Sequence, residues 1–185
     1  MRASTSLKGL TGGFMLDDPI KYGLLAALAI ALLIAAFTDL KSRRIANWLN
    51  LAIALGAPLY WWAAKIPFLP TDGWFEPTSI VAQLGVAVIT FAILSVLFAI
   101  KAMGGGDVKL LTALALWIAP ALFLKLIVMM ALLGGVLTLV LGGWNVMRRQ
   151  KNKIGIPYGV AISAAALWVL GSFYMPASAM AGAVQ

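Results

Sequence analysis

Long apolar runs separated by short polar turns fill the chain from about residue 20 onward. A membrane crossing needs about 20 apolar residues at 1.5 Å each. The first run is Tyr22–Phe37. The second is Trp48–Ile66, with Trp61 and Trp62 placed like an interfacial belt, and the third is Ile80–Ile100. Val108–Val146 is long enough for two short spans with a hairpin near Ala119-Pro120-Ala121; one long span plus a buried segment is the alternative. A last run covers Tyr158–Tyr174.

Charge chooses between these counts. Lys41/Arg43/Arg44, Lys101/Lys109 and Arg148/Arg149/Lys151/Lys153 form three basic clusters, and basic loops stay on the cytoplasmic side. All three share one side only if an even number of spans separates Asp107 from Arg148. The pattern therefore predicts an all-α, polytopic bundle of about six transmembrane helices with both ends outside the cytoplasm. Pro67–Thr78, with three prolines, Asp72 and Glu76 but no Lys or Arg, is read as an outside loop. Residues 1–19 form a non-cytoplasmic segment, 20–175 the membrane domain and 176–185 a tail. The first 19 residues have early basic residues but no apolar core, so no cleavable signal is expected.

Composition agrees and narrows the chemistry. The chain is 63% hydrophobic and 11% charged, against about 45–50% and about 25% for a soluble domain. A net charge of +8 spread over short inter-span turns leaves no basic surface for nucleic acid. Cysteine and histidine are both absent, which excludes thiol nucleophiles, Cys/His zinc sites and His-dependent triads. Carboxylate chemistry or a Ser-Lys pair remains for hydrolysis.

Of the six acidic residues, only Asp39 and Asp107 fall on the inferred cytoplasmic side. Each sits at the end of an apolar run, where a carboxylate is costly and usually has a task. Two such groups on one side of a membrane can pair, share a proton and activate water, as in aspartic proteases. Each also has a plainer reading. Asp39 could pair with Lys41, Arg43 or Arg44 in a solvated turn, and Asp107 could cap the helix that follows it. The run Gly104-Gly105-Gly106 before Asp107 is expected to allow positive φ and close approach of another chain, including a substrate strand. A proton relay in a transporter is one rival use of the two acids, and a non-enzymatic secretion subunit is another. No internal repeat supports the first.

Gly104-Gly105-Gly106-Asp107-Val108-Lys109-Leu110 matches the GxGD signature of the prepilin peptidases, membrane aspartic proteases of type IV pilin systems. Asp39 with Ile45 and Asn47 resembles that family's first motif, an Asp followed by Ile-Pro-Asn. Ile156-Pro157-Tyr158-Gly159 is similar to its C-terminal Pro-Tyr-Gly segment. The family usually has Pro where this chain has Ala46, and its larger members carry a cysteine-rich cytoplasmic insertion that is missing here. The chain is therefore similar to the small members of tight-adherence (Flp) pilus systems. Presenilin-type proteases fit less well, having more spans and no Pro-Tyr-Gly segment.

The resemblance implies an inner-membrane protease whose site faces the cytoplasm and whose substrates are prepilins or pseudopilins bearing an apolar helix. It implies Asp39 and Asp107 as the catalytic pair, with Gly104 and Gly106 shaping the loop. Lys109 would contact Asp107 or the substrate, and Asn47 would belong to the site. Pro157-Tyr158-Gly159 would unwind a helix start nearby. No metal or organic cofactor is expected, and leader cleavage without methyl transfer follows from the missing insertion.

Overall fold

A computed structural model describes residues 19–69, 79–147 and 158–174, with side-chain surroundings left undescribed for 141–147. Six helices account for nearly all of them: α1 (Pro19–Ser42), α2 (Asn47–Ala63), α3 (Ile80–Ala99), α4 (Gly105–Ala115), α5 (Pro120–Met147) and α6 (Tyr158–Val169), the last continued by a π-helical turn, Leu170–Tyr174. The expected all-α bundle is what forms. The basic cluster Arg148–Lys153, Pro157 and most of the Pro67–Thr78 loop lie outside the described residues, as do the two terminal segments.

Three helices are long and apolar enough to cross a bilayer, Pro19–Ser42, Ile80–Ala99 and Pro120–Val140, and Tyr158–Tyr174 is a shorter apolar one. At 1.5 Å per residue α5 runs about 42 Å, whereas the 11 residues of α4 run only about 16 Å. The turn after α4 compensates. It reaches the level of Tyr60 near the end of α2, where Tyr60 and Trp117 stack at 5.2 Å. It also reaches the end of α6, where the Ala119 amide donates to the Tyr174 hydroxyl at 2.9 Å. The hairpin expected at Ala119-Pro120-Ala121 is the junction of α4 and α5, with Pro120 opening the new helix.

The bundle therefore has two distinct ends. At one, the end of α1 meets the starts of α2, α4 and α6. At the other lie Tyr60, Trp117, Ala119 and Tyr174. The short α4 packs on α2, α3 and α6 and is the most enclosed element. Leu110, Leu111 and Leu114 on α4 are completely buried. Gly56 makes room for Trp117, since a Cβ there would lie 2.7 Å from its ring. The indole N–H donates to the Ile53 carbonyl at 2.8 Å, and Trp61 donates likewise to the Leu116 carbonyl. Trp61 is thus a packing residue, while Trp62 and Trp48 face outward as interfacial aromatics do.

Candidate active site

Asp39 is still helical. α1 continues about one turn beyond the expected end, and there the Thr38 and Ser42 hydroxyls donate back to carbonyls of the preceding turn, Thr38 Oγ1 to Ile34 at 2.9 Å and Ser42 Oγ to Thr38 at 2.8 Å. Arg43 then takes φ 52 and its amide closes the helix on the Asp39 carbonyl at 2.8 Å. The solvated turn expected at Asp39 begins only after Ser42. The Asp39 side chain points inward at 5% exposure, and its Oδ2 is buried with no hydrogen-bond partner among the described residues. It faces the backbone amides of Gly159 and Val160, the positive end of α6.

Asp107 is the third residue of α4 and is 9% exposed. The N-cap is Gly104, so Asp107 does not cap the helix in the way the plainer reading supposed. Its carboxyl instead reaches back to the Gly104 amide, the third-residue half of a capping box. Asp39 and Asp107 line one cavity of 260 Å³, together with Arg43, Arg44, Ile45, Asn47 and the three glycines. Two carboxyls 68 positions apart in sequence thus share a hollow at one end of the bundle.

The glycines act through size. None of Gly104, Gly105 and Gly106 has the positive φ expected of them; left-handed backbone occurs instead at Arg43, Lys65 and Lys101. A Cβ at Gly104 would stand 2.9 Å from Asp107 Oδ2, one at Gly105 would stand 3.1 Å from the Phe98 ring, and one at Gly106 would stand 3.3 Å from Ile45 Cβ. Gly159 is tighter than any of these three. A Cβ there would lie 2.8 Å from Asp39 Oδ2 and 2.9 Å from Ile45 Cδ1. Its part is to admit Asp39; α6 is α-helical over Tyr158–Val169, and Pro157, the first residue of the segment expected to unwind a helix start, lies outside the described residues.

Two further expectations need correcting. Of the two contacts expected of Lys109, Asp107 or the substrate, the first is replaced: its Nζ donates to Asn47 Oδ1 at 2.9 Å. A lysine one turn above the start of α4 reaches the first residue of the neighbouring α2 more readily than its own N-terminal turn. Tyr158 turns away from the carboxyls; its ring covers Gly134 of α5 and its hydroxyl lies 3.4 Å from Thr138 Oγ1. It packs α5 on α6 because Gly134 leaves a slot for the ring.

Asn50 and Ile45 were not singled out from sequence. Asn50, 4% exposed, donates from Nδ2 to the Gly106 carbonyl at 3.3 Å, tying α2 to the glycine turn, while its Oδ1 has no partner. The signal was available: an amide inside an apolar span is costly unless it is bonded, and Asn50 lies three residues after Asn47 on the same helix face. Ile45 touches both Gly106 and Gly159, a contact that no local pattern announces.

No curated protein and no solved structure matches this chain. A family model does, over residues 26–142, a stretch that contains both aspartates and the glycine turn but stops short of α6. The matched region is more than half of the chain, and its apolar helices make it a membrane protein. The chain belongs to the type IV leader peptidase family.

Proposed function

We propose that the protein is an aspartic endopeptidase that removes the leader of prepilin-like substrates at the cytoplasmic face of the inner membrane, in a tight-adherence (Flp) pilus system. The observation that carries this reading is the shared cavity of Asp39 and Asp107 within a chain of the leader peptidase family. Like charges held close together do not both ionise easily, so the pair works with one proton between them.

One carboxylate takes a proton from a water while the other, protonated, hydrogen-bonds the scissile carbonyl. The resulting hydroxide adds to the carbonyl carbon, giving a tetrahedral diol. Collapse breaks the C–N bond as the leaving nitrogen receives a proton, and the dyad returns to one proton. Gly104 and Gly106 keep the Asp107 turn close to Ile45, and Gly159 lets Asp39 reach the hollow. Asn47, fixed by Lys109, forms the rim.

Charge supports the orientation. Among the described residues Lys41, Arg43, Arg44, Lys101 and Lys109 belong to the carboxyl end of the bundle, and Lys21, Lys65 and Lys125 to the other. The short basic turn after α1 supports the small-member reading, in which cleavage proceeds without methyl transfer.

The test is co-expression with candidate prepilins, followed by mass determination of the new N-terminus. The expected product lacks its leader and carries no methyl group. Uncut prepilin in the presence of inserted protein would refute the proposal. Orientation is read separately by single-cysteine labelling, free of background in a chain without thiols. An impermeant reagent applied to intact cells should label Lys65→Cys and spare Ser42→Cys; the reverse pattern would put the site on the wrong side.

A further inference from the structure

A second hollow, 450 Å³ in volume, adjoins the carboxyl cavity between α2, α3 and α4. Asn47 lines both, so the two are neighbours on either side of that residue. The new hollow is polar at its mouth, where Asn47, Asn50 and Lys109 stand, and apolar along its length, where Leu51, Phe91 and Leu116 stand. From Lys109 to Leu116 it follows α4 for about 10 Å, two helical turns. Its floor is built from the small residues Ala54 and Ala113, which let a helix approach closely in a bilayer. Leu51 and Phe91 are more than half exposed, so the groove opens sideways toward lipid.

We infer that this groove seats the first two turns of the substrate's apolar helix, immediately after the bond to be cut. The inference rests on the leader peptidase reading and adds where the substrate lies. Asn50 selects a polypeptide as the occupant. Its Oδ1 is buried beside the groove's mouth and has no partner among the described residues, a state that costs stability unless a donor reaches it. At that depth a phospholipid brings ester oxygens and methylene groups, none of which donates. The start of a helix brings four backbone N–H groups with no partner of their own. The same segment has to leave the carboxyl cavity along Asn47, because the scissile bond sits between the carboxyls and the chain continues into the membrane.

The experiment uses the full-length protein in liposomes with two substrates: an intact prepilin, and a soluble peptide that spans the leader and scissile bond but lacks the apolar helix. Ala54→Trp fills the groove away from the carboxyls, and Leu132→Trp, on the lipid face of α5, is the control. Ala54→Trp should slow cleavage of the intact prepilin by about tenfold or more, the equivalent of about 1.4 kcal/mol, and leave the peptide close to its wild-type rate. Leu132→Trp should change neither. Equal processing of prepilin by Ala54→Trp and wild type, or an equal loss on both substrates, would overturn the inference. Wild type that cuts neither substrate would instead strike the peptidase reading itself.

Cross-linking keeps the inference open to refutation if Ala54→Trp fails to insert. In an Asp107→Asn background, a prepilin with one cysteine in the second turn of its helix should bond to Leu51→Cys and not to Leu132→Cys. Bonding at Leu132→Cys instead, or Leu51→Cys joining only a second copy of this chain, would overturn it.

Discussion

The junction where α1, α2, α4 and α6 meet and the long helix α5 are built from nearly the same apolar residues, yet they behave oppositely. At the junction, four helix ends close on two carboxyls, leaving one hollow of 260 Å³ and little clearance around the glycines that border it. Cβ atoms at Gly104 and Gly159 would stand within 3 Å of a carboxyl oxygen. Along α5, Leu124, Val128, Leu132, Val136 and Val140 recur every fourth residue and all face outward. Gly135 has nothing within 4 Å of where its side chain would be. Apolar content therefore says little about which helix forms the interior of a membrane protein, because lipid is as good a neighbour as leucine. Small residues beside polar ones mark the packed, chemical region.

The largest effect that would sharpen this contrast is on stability. Leu114→Ala, in the centre of α4, removes a completely buried side chain and should destabilise the protein by about 2–5 kcal/mol. Leu132→Ala on α5 should be almost silent. Thermal unfolding in the same detergent compares the two, and equal losses would break the distinction between the regions. Next is Gly159→Ala. The added methyl group must push the Asp39 carboxyl aside, and a displacement of that size costs about 100-fold in rate. Cleavage kinetics should show that loss, with the melting temperature lowered as well by the overpacking against Ile45, while Gly135→Ala should leave both as they are. The smallest is Trp117→Phe, which keeps much of the stacking on Tyr60 but loses the bond to the Ile53 carbonyl. It should lower stability by about 0.5–1.5 kcal/mol with activity retained below the melting transition.

Much of this architecture was legible from sequence because the solvent is a bilayer. Apolar run length located the helices, and the α4–α5 junction falls at the predicted Ala119-Pro120-Ala121 hairpin. The rarity of acids near a bilayer singled out Asp39 and Asp107. The reasons behind the motif residues were harder to read. Gly104 and Gly106 suggested left-handed backbone, since that is what glycine permits locally, whereas the structure uses them for clearance from Asp107 and Ile45. Gly159 and Tyr158 are adjacent in sequence yet serve different neighbours, Asp39 on α1 and Gly134 on α5, because successive residues of a helix point about 100° apart. Lys109 was expected to contact Asp107 or the substrate, while the contact it makes is across to Asn47 of α2. Tertiary neighbours decide such cases, and no window along the chain contains them.

The central claim is that Asp39 and Asp107 together form one catalytic centre. Its most direct test is leader cleavage by the purified protein in liposomes, comparing wild type with Asp39→Asn and Asp107→Asn. Asparagine keeps the size of each side chain but can neither take the water's proton nor share the dyad's. Each single change should abolish cleavage while insertion and melting temperature stay near wild type. Cleavage at a wild-type rate by either variant would contradict it.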